Sequence, residues 1–144
     1  MNPQGQAFTA FRMLIAVIMA LMVLLIIIAV INHFEKQKIE ISKKRLFDGF
    51  ANAFQSPNGD IIERSELAFE QGDIITAGAF AKDARMPVEC ISLSAAQSSA
   101  ITVQGSNAVL FNQKLVTSVF FKCIKEFDSE CEISCQVSVA QPFR

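Results

Sequence analysis

The stretch Met13–Ile31, MLIAVIMALMVLLIIIAVI, sets the architecture of this 144-residue chain. Its nineteen residues include no charge, no glycine and no proline, so nothing in it interrupts a helix. A helix of that length is about 29 Å long, close to the roughly 30 Å hydrocarbon core of a bilayer. Because no polar face is left for water, the segment is predicted to span a membrane or to lie buried among copies of itself.

The segment is predicted to be a retained anchor. It is longer than the apolar region of a cleaved signal peptide, and no small-x-small cleavage site follows Ile31. Arg12, at its start, is expected to reach the lipid headgroups or to make a polar contact inside a complex. The residues expected to form the membrane or filament core are Met13, Leu14, Ile15, Val17, Ile18, Leu21, Met22, Leu24, Leu25 and Ile28.

The helix is predicted to continue beyond the apolar segment, over residues 6–55. Apolar residues recur there at helical spacing, with Phe47 on the edge of the stripe, and Gly49 is expected to weaken the helix by about 1 kcal/mol relative to alanine. Ser56–Gly59 contains proline and Asn-Gly, which both favour turns, and ends the helix. The stripe consists of Ile39, Leu46, Phe50, Ala53 and Phe54.

Residues 56–144 change to the period of β-structure. Ile133–Val139 alternates apolar and polar residues, and Leu115–Ile124 is rich in β-branched and aromatic residues, so both are predicted strands. A short helix capped by Thr76 is expected before Arg85. Weaker patterns predict a hairpin at 101–111, a strand entering at 86–91, a hairpin at 67–75 and a loop at 92–99. The fold class is therefore α+β, a long N-terminal hydrophobic helix followed by a small antiparallel β-rich domain.

Four cysteines in this small domain predict two disulfides and an oxidising compartment. If the predicted strand includes both Cys131 and Cys135, their Cα atoms lie about 13 Å apart and these two cysteines cannot pair with each other. Each must then pair with Cys90 or Cys123. The favoured pairing is Cys123–Cys131 with Cys90–Cys135, and the swapped pairing remains open. Four reduced thiols or a zinc site are the alternatives, although the zinc spacing is poor.

Charge and motifs exclude several classes of function. A net charge of −1 argues against a nucleic-acid partner. The single His33 and the scattered carboxylates form no catalytic motif, so we expect no enzyme, no small-molecule substrate, no cofactor and no metal. Five basic residues in 32–45 form a collar that would contact anionic headgroups or face solvent; they are Lys36, Lys38, Lys43, Lys44 and Arg45.

The opening Gly5-Gln6-Ala7-Phe8-Thr9-Ala10-Phe11, running into Met13–Ile31, resembles the class III signal peptide of archaeal type IV pilin-like proteins. The resemblance covers about the first thirty residues and implies leader cleavage between Gly5 and Gln6. It also implies that the apolar helix anchors the subunit in membrane lipid before assembly and packs against its copies afterwards. The chain departs from the family in having Gln4 before the glycine and Ala10 where the family carries a glutamate. TadE-like pseudopilins have a similar opening and are a nearby alternative.

The resemblance implies a structural subunit of a surface filament, located in the cell membrane and at the cell surface. The alternative is a single-pass subunit or anchored binding module of a cell-envelope complex, favoured by Arg12 and by the two departures. The basic collar would place the C-terminal domain in the cytoplasm by the positive-inside tendency. The cysteines and the pilin-like opening place it outside, and an extracellular head domain is the expectation.

Overall fold

A computed structural model describes residues 3–127 and 130–143, with side chains described from Thr9 onward. The chain divides into two compact units, one ending at Gln37 and the other beginning at Lys38. The single helix α1, Pro3–Gln55, contributes to both. It begins before the predicted residue 6, since proline lacks the N–H that the first helical turn leaves unpaired. It is followed by a β-rich domain, so the predicted α+β class is confirmed.

The unit from Lys38 onward contains two sheets. The four-stranded sheet has the order β1-β6-β7-β3, in which only β3 and β7 are parallel, and the three-stranded antiparallel sheet has the order β2-β5-β4. The strands are β1 Asn58–Phe69, β2 Ile74–Thr76, β3 Ile91–Ala95, β4 Ile101–Gln104, β5 Ala108–Phe111, β6 Leu115–Lys125 and β7 Ile133–Val139. The strands predicted at 115–124 and 133–139 and the hairpin at 101–111 are confirmed.

The C-terminal part of α1 supplies one wall of the core. Its stripe is confirmed, because Ile39, Leu46, Phe50 and Ala53 are buried and Phe47 and Phe54 are half-buried. The ring of Phe50 lies 4.7 Å from that of Phe80 and 6.3 Å from that of Phe121, between centroids. Such aromatic pairs stabilise a core by more than the burial of their apolar area alone.

The short helix α2, Ala77–Ala84, forms as predicted. Thr76 caps it, since its Oγ1 accepts a hydrogen bond from the N–H of Ala79 at 3.2 Å. Arg85 ends the helix in the left-handed conformation, with φ of 55°, and its N–H bonds to the carbonyl oxygen of Ala81. Capping groups of this kind satisfy backbone atoms that a helix leaves unpaired at its ends.

Two predictions in the β domain are wrong, and a third is correct about a strand but not about the residues before Ile91. The segment 67–75 is not a hairpin, because β1 pairs with β6 and β2 with β5, so its turn joins two different sheets. The strand expected to enter at 86–91 starts only at Ile91, after a 3-10 turn at Val88–Cys90. The loop expected at 92–99 begins inside β3, where exposed Ser92 and Ser94 alternate with buried Ile91 and Leu93.

All four cysteines form disulfides, but the favoured pairing is wrong and the swapped one is present. Cys123 pairs with Cys135, and Cys90 pairs with Cys131. The reason is register: Cys123 and Cys135 are directly opposite each other on β6 and β7, with Cα atoms 4.1 Å apart. Cys131 precedes β7, which starts at Ile133, so it lies outside the strand and reaches Cys90 with a Cα separation of 5.6 Å.

Candidate functional site: the apolar segment of α1

The ten residues predicted to form the membrane or filament core are all exposed. Their exposed fractions run from 45% for Ile15 and Ile18 to 67% for Met13. From Thr9 onward α1 is long and apolar enough to cross a membrane, and the most apolar window of this segment is not buried by the rest of the chain. The remaining members of the set are Leu14, Val17, Leu21, Met22, Leu24, Leu25 and Ile28.

The exposure extends around the whole helix. Consecutive residues point about 100° apart, and Leu21, Met22, Val23 and Leu24 each expose between 54% and 56% of their surface. No side of these turns is therefore buried. Large exposed apolar surfaces are unfavourable in water and mark membrane or protein interaction sites. The exposed apolar surface of α1 therefore suggests membrane anchoring.

The two ends of the segment differ. On the N-terminal side, Gly5 and Gln6 lie in the first turns of α1, and their side chains are outside the described set. On the C-terminal side, Gln37 Nε2 lies 3.0 Å from His33 Nε2 in an exposed hydrogen bond. Polar pairs of this kind belong in an aqueous or interfacial environment, which agrees with an apolar segment ending at Ile31.

The second candidate site is a small cavity beside α1 in the β-rich unit. Its volume is about 100 Å³, and its walls include Leu46, Phe47, Phe69 and Phe80. An ion pair lies at the cavity, where Lys43 Nζ is 3.1 Å from Asp73 Oδ1. Most of the lining is apolar and comes from α1 and α2, so the cavity is part of the packing between these two helices.

The thiols and carboxylates offer no alternative chemistry. All four cysteines are in disulfides, so none of them is a nucleophile or a metal ligand. Among the described residues, no group of three or more His, Cys, Asp and Glu side chains could hold a metal ion. The apolar segment of α1 is therefore the feature of the described chain that most requires a functional explanation.

The chain matches no protein-family model, no curated protein and no solved structure. An uncovered apolar helix suggests membrane anchoring, and two disulfides suggest an extracellular domain.

Some exposed residues that bear on binding were not found from the sequence. Phe127, in the β6–β7 connection, is 86% exposed, and Ile41, on α1, is 59% exposed. Ile41 could have been found, since it is apolar yet lies off the stripe that contains Ile39 and Leu46. The residues around Phe127 show no helical or strand periodicity. Only the structure therefore shows that its side chain is exposed.

Proposed function

We propose that this protein is a structural subunit of an archaeal type IV pilus-like surface filament. The observation that carries the proposal is that Met13–Ile31 is apolar on every side and is uncovered by the chain itself. Copies packed through this helix would bury it in a filament core, and lipid would cover it before assembly. At about 25 cal/mol per Å² of buried apolar surface, the gross gain per subunit is on the order of tens of kcal/mol.

The β-rich unit forms the exterior of the proposed filament. Its two disulfides support an extracellular position, where such bonds form and persist. They also stabilise a small domain: by the chain-entropy estimate, closing loops of 12 and 41 residues contributes about 3 and 4 kcal/mol. A subunit that stands in the external medium benefits from such covalent links.

N-terminal sequencing of the mature protein from cell surfaces tests the proposed processing. The filament route predicts that the chain begins at Gln6, because cleavage after Gly5 releases the leader. A mature chain that begins at Met1 or Asn2 contradicts this route and favours the single-pass membrane subunit. Arg12 and Ala10 favour the same alternative. The matched control is Gly5→Ile, which should block cleavage and leave the longer chain.

Electron microscopy of shed surface material tests assembly directly. Filaments that label with an antibody against the β domain are expected. Protein that is found only as dispersed single membrane subunits contradicts the filament, whatever its N-terminus.

A further inference from the structure

The pair Asn58-Gly59 lies in a β-bulge at the start of β1. Where β1 pairs with β6, the register shifts after Asn58, so that Gly59 and Asp60 together stand opposite the single residue Cys123. One kind of bulge has a glycine in the left-handed region, and Gly59 has φ of 86°. Because the ladder is disrupted at a bulge, the strand register does not hold the backbone of Gly59 as it holds its neighbours.

The side chain of Asn58 is folded over Gly59 and held by the residue after it. Its Nδ2 donates to Asp60 Oδ2 at 2.8 Å, and its Oδ1 accepts from the N–H of Asp60 at 3.4 Å. These two bonds turn the amide carbon, Cγ, towards the backbone of Gly59. Asn58 and Asp60 are exposed and Gly59 is half-buried, so solvent reaches the pair.

The surroundings of Gly59 leave its backbone open. Among the described atoms, a Cβ placed at Gly59 would meet only Ile124 Cγ1 at 3.8 Å and Lys122 Cε at 4.0 Å, which are ordinary contact distances. Every other asparagine in the sequence is followed by a residue that carries a Cβ atom. Asn58 is therefore the asparagine whose amide lies beside the least hindered backbone nitrogen.

We propose that Asn58 and Gly59 form a site of spontaneous backbone modification. The Gly59 nitrogen gives its proton to water or hydroxide and attacks Cγ of Asn58, and the new N–Cγ bond closes a succinimide ring. The Cγ–Nδ2 bond breaks, and Nδ2 takes a proton from water and leaves as ammonia. Water then opens the ring at Cγ to give aspartate, or at the main-chain carbonyl carbon to give isoaspartate. No atom is oxidised or reduced in these steps.

The bulge favours ring closure because negative charge develops on Oδ1 of Asn58 as the nitrogen attacks. The N–H of Asp60 already points at this oxygen, and a donor aimed at a developing oxyanion lowers the barrier.

Asp48-Gly49 provides a contrast within the same chain, since an aspartate followed by glycine can close the same ring. This pair lies inside α1, where Gly49 is buried and the hydrogen bonds of the helix fix its backbone. The ring should therefore form at Asn58 in the folded protein and not at Asp48.

The products change the junction between α1 and β1. Each replaces an amide by a carboxylate, so the net charge falls by one unit from −1. The Nδ2 bond to Asp60 is lost, and two carboxylates that repel each other take its place. Isoaspartate also adds one carbon to the backbone. We expect both changes to weaken the nearby hydrogen bond from the N–H of Lys125 to the carbonyl oxygen of Pro57, which is 3.1 Å long.

Incubation of the purified full chain in detergent at mildly alkaline pH tests the site. Peptide mass spectrometry and labelling by an isoaspartate-specific methyltransferase identify the products. Asn58 should be converted at least about tenfold more than any other asparagine, because only the residue after it lacks a Cβ atom. Conversion at Asn58 that is no greater than at Asn52 or Asn107 overturns the inference.

The same incubation of the denatured chain is the control for the fold. Both Asn58 and Asp48 should yield isoaspartate there, whereas only Asn58 should do so in the folded chain. If Asn58 stays intact in the folded chain and reacts in the denatured one, the bulge protects the pair and the inference is wrong. Asn58→Gln should abolish the isoaspartate signal of the folded chain, and a signal that persists places the reaction at another residue.

Amide hydrogen exchange of the modified protein measures the effect on the junction. The N–H of Lys125 should exchange faster than in the unmodified chain, and equal exchange contradicts the expected loosening. The site does not depend on the proposed filament. An unreactive Asn58 leaves the filament proposal standing, and protein that never assembles leaves the modification site standing.

Discussion

Gly49 lies where α1 crosses the sheet with no room for a side chain. A Cβ atom at this position would be 2.7 Å from Cγ of Arg64 and 2.7 Å from Cε2 of Phe121. The Phe121 ring is fully buried and packs on Phe50, so it cannot move away freely. The sequence showed only that glycine weakens a helix. The structure adds the reason why it is there.

We therefore expect Gly49→Ala to destabilise the β-rich unit by about 1 to 3 kcal/mol, because overpacking outweighs the gain in helix propensity. Thermal unfolding of the purified full chain in detergent, followed by circular dichroism, measures the effect. The control is Gly78→Ala in α2, where nothing lies within 4 Å of the added atom. The control should leave the melting temperature unchanged or raise it. Equal stability of wild type and Gly49→Ala contradicts the proposed packing.

Ser42 is a polar residue inside the buried stripe of α1. It is 3% exposed, and its Oγ donates to the carbonyl oxygen of Lys38 at 2.8 Å while accepting from the N–H of Ala68 at 2.9 Å. Ala68 is itself buried. This one hydroxyl joins α1 to the end of β1.

Ser42→Ala should leave the N–H of Ala68 buried without its acceptor, at a cost of about 1 to 3 kcal/mol in the free energy of unfolding. Amide hydrogen exchange should show faster exchange at Ala68 and its β1 neighbours. Ser94→Ala is the control, since Ser94 is exposed and its bond to Val137 is long, at 3.5 Å. Unaltered protection of Ala68 would show that the hydroxyl contributes nothing.

At the scale of the element, the apolar segment of α1 and its later stripe could both be predicted, because each depends only on residue type and spacing. Strand β1 could not. Its register with β6 shifts between Asn58 and Ile61 and again between Arg64 and Leu67, which breaks the alternation that identifies strands. Glu66 lies in the second shift, with φ of 56°. Disulfide pairing depended on the strand register and the start of β7, neither of which the sequence specifies to one residue.

A charge placed in the apolar segment tests its burial in lipid or among copies. Met22→Arg, near the middle of the segment, should disfavour membrane insertion by roughly 2.5 to 3.5 kcal/mol. The protein should then be depleted from the membrane fraction, and filaments should be lost. Met22→Leu keeps the apolar surface and should behave as wild type.

Quantitative immunoblotting of membrane, filament and soluble fractions measures the distribution. Met22→Arg protein that fractionates and assembles like wild type would show that residue 22 is neither in lipid nor in a packed core.

At the scale of the whole molecule, the sequence predicted the order of the parts, an apolar helix and then a β-rich domain. It placed the domain boundary at residue 56, whereas the second compact unit starts at Lys38. The difference is physical, because the C-terminal part of α1 has a buried stripe and belongs to the core of the β-rich unit. The candidate site was predictable since it depends on an uninterrupted composition. The exposure of Phe127 was not predictable, because it depends on where a loop lies in the fold.

The most direct test is sedimentation of the full chain without detergent. If Met13–Ile31 must be covered by lipid or by other copies, the protein will float with vesicles or pellet as assemblies, and almost none will remain in solution. A stable, monodisperse monomer in the supernatant, with those residues folded into its own globule, contradicts the account.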